Sequence, residues 1–365
     1  MSNAALESAV LESLKAVLDP NTGKDFVGSR AVKNLRVEDG DVAFEVDIGY
    51  PCKSQHPALR KAFIAAARTV PGVANVSVQL HLKVVSHAVQ RGVALLPRVK
   101  NVIAVASGKG GVGKSTTTVN LALALAAEGA SVGILDADIY GPSLPMMMGL
   151  TGRPESEDGK TMIPLENHGV QVMSIGFLIE DDQAMIWRGP MATQALDQLL
   201  HQTQWRDLDY LLIDMPPGTG DIALTLSQRV PLTGAVIVTT PQDIALLDAK
   251  KGLKMFEKVG VPILGIVENM AVYCCPNCGH TEHIFGADGG KKMAAEYKVD
   301  YLGGLPLTMA IRQQADSGTP TVAADPDSDI AGLYRAVARQ VSVKIALKAK
   351  DFSAKFPTIS VSKGT

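Results

Sequence analysis

Val102–Thr118, V-I-A-V-A-S-G-K-G-G-V-G-K-S-T-T-T, constrains this chain more than any other stretch. Val102 to Ala106 is a short apolar run with the composition of a buried strand. Glycine follows at Gly108, Gly110, Gly111 and Gly113, and Ser115 to Ala127 suits a helix. Strand, glycine loop and helix form the setting in which G-x-x-x-x-G-K-[ST] binds phosphate, and Gly108, Gly113, Lys114 and Ser115 fill that pattern. Glycines let backbone N–H groups turn inward around phosphate oxygens, and the helix N-terminus adds positive potential. The pattern predicts that amides from Gly108, Gly110, Gly111, Val112, Gly113 and Thr116 surround a nucleotide. Lys114 is expected to reach its β- and γ-phosphates, and Ser115 to hold Mg²⁺.

The strand–loop–helix sits in a regular alternation. Buried strands are predicted at 102–106, 131–135, 170–175, 210–214, 234–239, 261–267 and 301–305. Helices are predicted near 115–128, 190–203, 243–258, 286–297, 308–317 and 328–347. Such β-α alternation implies an α/β fold, a mostly parallel sheet with helices on both faces. Before it, residues 1–85 read as helix, strand, strand, helix, strand. Helices are expected over 3–18 and 55–69, and period-two runs over 42–48 and from Val73 to Leu82. This is the pattern of a small α+β domain, with 86–98 as linker, 99–350 as the nucleotide domain and 351–365 as tail.

The composition leaves the small ligand open and narrows the partners. A net charge of −2 over 365 residues argues against a nucleic-acid-coating protein. No apolar run reaches the ~18–20 residues of a membrane span. The start, Met1-Ser2-Asn3-Ala4, lacks a basic n-region and apolar core, so the cytoplasm is the expected compartment. Residues 330–345 do carry an apolar stripe of Ile330, Leu333, Tyr334, Val337, Ala338, Val341 and Ile345. A terminal helix docked on its own sheet and a lipid-binding helix share that pattern, and docking is the commoner.

Ile134-Leu135-Asp136-Ala137-Asp138 and Tyr210-Leu211-Leu212-Ile213-Asp214 place carboxylates just past predicted strands, as a Mg²⁺ site beside a phosphate loop requires. Asp214 runs into Met215-Pro216-Pro217-Gly218-Thr219-Gly220-Asp221, stiffened by proline and hinged by glycine like a γ-phosphate sensor.

Lys109, directly after the first glycine, gives the loop a second lysine. The loop thereby resembles the deviant phosphate loop of the MinD/ParA/nitrogenase-iron-protein class. That resemblance implies a nucleotide-sandwich homodimer. In it Lys109 reaches the partner's nucleotide, Asp138 positions the attacking water, and Asp136 lies near the metal. More narrowly, Asp138-Ile139-Tyr140-Gly141-Pro142-Ser143, Arg188-Gly189-Pro190, Asp214 to Asp221 and Val267-Glu268-Asn269-Met270 resemble motifs of the Mrp/ApbC/Nbp family of iron–sulfur carrier ATPases. The first domain is similar to the small cluster-assembly domain that many bacterial members carry. By this match Asn269 recognises the adenine edge; as a residue alone, it equally suits a strand-end asparagine closing a turn.

Tyr273-Cys274-Cys275-Pro276-Asn277-Cys278-Gly279 is the second centre. Two thiolates separated by two residues chelate one metal, and Pro and Gly bend the backbone to allow it. The family resemblance implies that Cys275 and Cys278 of two subunits supply four thiolates to one 4Fe–4S cluster. A zinc site with His280 and His283, and a redox or inert thiol pair, are the other readings. Cys52, in Gly49-Tyr50-Pro51-Cys52-Lys53, stands in a strand–helix loop where related small domains often carry a functional cysteine; as a residue alone, a lone cysteine is more often a passive small side chain.

Together the resemblance implies an ATP- and Mg²⁺-dependent carrier of a 4Fe–4S cluster. It would act as a homodimer, serve apo iron–sulfur proteins and cluster-assembly proteins, and bind neither nucleic acid nor membrane. A MinD/ParA-like positioning ATPase and a zinc metallochaperone are the alternatives.

Overall fold

Two sheets organise the chain, one of three strands and one of nine. The computed structural model describes residues 3–348 apart from 88, 91–92, 180–188 and 276. The expected tail 351–365, Arg188 of the Arg-Gly-Pro motif, Pro276 and part of the expected linker lie outside the described residues.

The first sheet is built from α1 (Asn3–Leu14), β1 (Val32–Glu38), β2 (Asp41–Ile48), α2 (His56–Ala67) and β3 (Asn75–Leu82). β2 is central, antiparallel to β1 and parallel to β3. Its alternation sends Val42, Phe44, Val46 and Ile48 inward. There they meet α2, where the Phe63 ring lies 5.1 Å from Phe26 and 5.8 Å from Phe44 in edge contacts. α1 stops earlier than its pattern suggests: Val17 tucks under the domain and Leu18 forms an isolated bridge with Asp25.

The second sheet follows in β-α alternation. Its first half is β4 (Val99–Ser107), α3 (Lys114–Ala127), β5 (Val132–Asp136), α4 (Leu144–Met147), β6 (Leu165–Asn167), β7 (Val170–Ser174), α5 (Gly189–Gln202), β8 (Leu208–Asp214) and α6 (Asp221–Arg229). Its second half is β9 (Gly234–Thr239), α7 (Asp243–Lys258), β10 (Ile263–Cys274), β11 (Thr281–Glu282), α8 (Gly289–Tyr297), β12 (Tyr301–Leu307), α9 (Met309–Asp316), α10 (Thr321–Ala324) and α11 (Asp329–Ala346). The strand order is β11-β10-β9-β4-β8-β5-β7-β6, with β12 also on β10. All pairings are parallel except those of β6 and β11. The α/β fold expected from the alternation is the fold observed.

β4, β5 and β8 are buried runs at the centre, and their carboxyl ends lie side by side: Val105 faces Asp214, which also faces Asp136. That is where open α/β sheets hold ligands. α3 is buried from Thr117 to Leu125, consistent with a sequence that is apolar or small nearly all round. α11 packs against it and against β12. The Ser328 hydroxyl caps α11 by accepting from the Ala331 N–H at 3.2 Å. Ala331, Tyr334, Val337, Ala338, Val341 and Ile345 are buried, so the stripe docks on the fold; Leu333 alone of that stripe faces outward. No described helix is long and apolar enough to cross a membrane.

Further elements depart from the sequence reading: the short α4, β6, β11 and α10 were outside the expected set, and two longer ones bear on the site. α6 was not expected; it starts at Asp221, directly behind the Gly-Thr-Gly turn. β10 runs on to Cys274 instead of ending near residue 267. A left-handed residue, Met270 (φ 56), and a register shift on β12 between Glu268 and Val272 let it bend and continue. Asn269 is therefore inside a strand and does not close a turn at its end.

The two parts meet at Glu128, the residue capping the C-terminus of α3. Its buried carboxylate accepts from the Ser54 N–H (2.9 Å) and hydroxyl (2.7 Å) of the small domain and from Arg339 of α11 (2.6 Å). The Lys53 N–H donates to its carbonyl at 3.1 Å. A carboxylate is unfavourable at a helix C-terminus, and the Arg339 cation and two Ser54 donors offset that.

Candidate functional site

The glycine loop leaves β4 at its carboxyl end and enters α3 at Lys114. Gly108 is sterically required: a Cβ there would lie 2.1 Å from the Asp248 carbonyl carbon and 2.3 Å from the Ala249 nitrogen of α7. Gly111 and Gly113 have φ of +80 and +81, the left-handed region that glycine enters without strain. The loop is thus a cradle of backbone donors at a helix N-terminus, the arrangement that holds phosphate.

Charges converge beneath it. The Lys114 ammonium lies 2.8 Å from Asp214 Oδ2 and 3.9 Å from Asp138 Oδ2, and donates to the Ser115 hydroxyl at 3.2 Å. Ser115 donates to Asp214 Oδ2 (2.6 Å), and Thr118 to Asp214 Oδ1 (2.7 Å). A hydroxyl and a carboxylate presented together are hard oxygen donors, the set Mg²⁺ takes beside phosphates. Ser115 and Asp214 fit that ion.

Asp136 sits differently. Oδ1 accepts from the Asp138 N–H (3.1 Å); Oδ2 accepts from the Leu144 N–H (3.2 Å) and the Ser174 hydroxyl (3.1 Å). It is fully buried and fastens the 138–144 segment to the sheet. Burial, with the charge of Asp214 beside it, pushes its carboxyl up to about 7. Burial also raises Asp138, against the pull of Lys114. Asp138 is held beside Lys114, facing the loop. Lys109 forms no ion pair with another described residue; its carbonyl accepts from Ser107 at 2.9 Å. Thr116 lies in the first turn of α3, its carbonyl accepting from Asn120. The segment after Asp214 is pinned to β4 by Met215 N–H to Val105 O and Gly218 N–H to Ser107 O, both 3.0 Å.

Asn269 reaches the loop from β10, its amide donating to Val112 O at 2.9 Å. The same strand leads to the cysteines. Cys275 N–H donates to His280 O (2.8 Å), and Gly279 N–H, at φ +71, to Cys275 O (2.9 Å). The Asn277 and Cys278 N–H groups aim at the Cys275 sulfur and hold its thiol below the usual range. Cys278 is exposed. His283 is turned away, with Nδ1 donating to Ala271 O at 2.7 Å. Among the described residues no three His, Cys, Asp or Glu side chains stand close enough to share a metal. The Cys₂His₂ zinc arrangement is therefore not assembled among them.

Cys52 is 1% exposed, and burial pushes its thiol up to about 12. Sequence reasoning missed Thr118 and Ser174. Thr118 was within reach, since it follows Ser115 at i+3 on one helix face. Ser174 ends β7, and nothing local marks it.

Over residues 98–342 the chain matches the family described as NUBPL iron-transfer P-loop NTPase, and over residues 7–78 the family described as iron-sulfur cluster assembly protein. It is similar to the iron-sulfur cluster carrier protein of Escherichia coli strain K12, 49% identical over 345 residues and covering 94% of each chain. The iron-sulfur cluster transfer protein NUBPL of Mus musculus is 56% identical over 245 residues, 67% of this chain and 77% of that one. Of solved structures, the nucleotide-binding protein of Archaeoglobus fulgidus in complex with ADP is similar at 39% identity and TM-score 0.56, covering 64% of this chain and 90% of that chain. The cell division ATPase MinD of Pyrococcus furiosus shares the fold at 24% identity and TM-score 0.51, covering 67% of this chain and 99% of its own.

Proposed function

The chain belongs to the NUBPL iron-transfer P-loop NTPase family, and on that premise we propose that it is an ATP-hydrolysing carrier whose two copies hold one 4Fe–4S cluster between them and pass it to apoproteins. The observation that carries this reading is the cysteine hairpin. Cys275 and Cys278 are both accessible, with the Cys275 thiol lowered, yet no third described ligand is in reach. Two thiolates do not complete a 4Fe–4S site, whereas the same pair from a second copy makes four.

In this reading the loop amides from Gly108 to Thr116 and the Lys114 ammonium hold the ATP phosphates, and Ser115 and Asp214 hold Mg²⁺. That ion, when bound, neutralises phosphate charge. Asp138 orients the attacking water, Asp136 fixes the backbone that presents Asp138, and Lys109 extends to the nucleotide of the other copy. Placement and charge neutralisation supply the catalysis, with no covalent intermediate on the protein. Bacterial relatives named as cluster carriers, together with the domain similar to iron-sulfur cluster assembly proteins, support cluster-assembly proteins and apo iron–sulfur proteins as partners in the cytoplasm.

Anaerobic cluster reconstitution followed by iron and sulfide analysis tests the carrier claim. The parent is expected to load iron and sulfide in equal amounts, and Cys275→Ala with Cys278→Ala to load almost none. A double variant that holds as much cluster as the parent would show the ligands to be elsewhere.

A further inference from the structure

The cysteine hairpin is tied to the phosphate loop through one side chain. Asn269 is buried, and its amide donates to the Val112 carbonyl at 2.9 Å. Gly113 leaves the approach open: a Cβ there would lie 2.2 Å from Asn269 Nδ2 and 3.8 Å from the Met270 methyl. Both side chains therefore lie over bare loop backbone.

β10 changes character at the same place. Up to Glu268 it belongs to the sheet, paired with β9, and the Glu268 carboxylate accepts from the Gly290 N–H at the start of α8. Met270 then takes the left-handed conformation, which a long side chain adopts only where its surroundings impose it. Beyond it the strand belongs to the hairpin. His283 donates to Ala271 O, Tyr273 faces Glu282, Cys274 faces Thr281, and Cys275 N–H donates to His280 O. β12 follows both halves, but in shifted register. Asn269 thus stands at a joint between a fixed half-strand and the segment carrying Cys275 and Cys278.

We propose that Asn269 is a positioning residue through which the nucleotide state of the phosphate loop reaches the Cys275–Cys278 hairpin. The inference rests on reading the loop as a nucleotide site. Phosphates that draw the loop's N–H groups inward reorient the Val112 peptide, whose carbonyl is the acceptor for Asn269. The sheet side of β10 is buried and pinned by Glu268, so it does not follow. The displacement is taken up at Met270 and turns the hairpin. A site that couples in this way has two arrangements of one element, each favoured by a different loop state.

The test uses the full chain, reduced and free of cluster, alkylated anaerobically with iodoacetamide. Each cysteine is followed by mass spectrometry, with and without saturating ADP–Mg²⁺. In the parent, loading is expected to change the rates at Cys275 and Cys278 by about fivefold or more, the low end of coupling between sites. Buried Cys52 serves as the reference. Asn269→Asp keeps the shape and loses the donor; Asn269→Ala separates that loss from the added charge. In both, the two rates are expected to ignore ADP–Mg²⁺ shown to be bound in the same samples. Variants that bind ADP–Mg²⁺ and keep the parent's response overturn the proposal, as do variants that no longer bind it, which would make Asn269 part of the nucleotide site itself, and a parent that binds it without any change at the two thiols. A parent that does not bind ADP–Mg²⁺ overturns the nucleotide reading, and this proposal with it.

Discussion

Lys114 carries the charge balance of the site. Asp214 is fully buried, and Asp138 and Asp136 stand close by, so one ammonium faces three carboxyl groups. Lys114→Ala removes that counter-charge and, in the proposed function, the ligand for the phosphates. ATP hydrolysis is expected to fall by about a hundredfold or more, as when a preorganised electrostatic contact is lost, and a steady-state phosphate-release assay reads it. Asp136 makes a separate, pH-dependent prediction for the nucleotide-free protein. Its folded value is about 7 against 3.8 for the free side chain, so between those values the folded chain holds a proton that the unfolded chain has released. Stability from this group is therefore full at the acid end and is lost as pH rises through about 7. Melting temperatures of the parent are expected to decline over that window relative to Asp136→Asn; parallel profiles for the two would contradict the shift.

The elements explain what was legible in the sequence and what was not. The glycine loop announced itself because phosphate binding and a strand-to-helix turn impose the same residues, Gly108, Gly113, Lys114 and Ser115. The contact of Gly108 with α7 was invisible, since Asp248 lies 140 residues later. Gly108→Ala is expected to weaken nucleotide binding by about tenfold or more while leaving far-UV circular dichroism unchanged, because the shift falls on the loop rather than the core. The central strands were readable as unbroken apolar runs, since parallel strands covered on both faces have no polar side. β10 was not, because its second half is held by the β11 hairpin and, across a register shift, by β12, with Met270 in a conformation no propensity favours. α11 showed its stripe, and docking chose among its residues: Tyr334 is buried and Leu333 is not. Tyr334→Ala is expected to cost about 3 kcal/mol or more in denaturant unfolding, as large-to-small changes of buried aromatic residues do.

At the scale of the molecule, the helix that starts at the phosphate loop ends on the small domain. Glu128 gathers Ser54 and Arg339 there, and Cys52 is sealed beside it. Glu128→Ala strands the Arg339 cation and removes both Ser54 contacts. Alkylation of Cys52 is expected to speed up by about tenfold or more relative to the parent, the ratio that one lost charge-assisted contact of this kind produces. Both halves of the chain thus answer to α3, whose N-terminus faces the nucleotide site. Cys275 and Cys278 stand on their own hairpin, and in the proposed function a second copy completes their cluster. The mass of the cluster-loaded protein measures that claim most directly. Native mass spectrometry after anaerobic reconstitution is predicted to show two chains bound with about four iron and four sulfide. A single chain carrying a full cluster, or a two-chain species carrying none, would contradict the shared site.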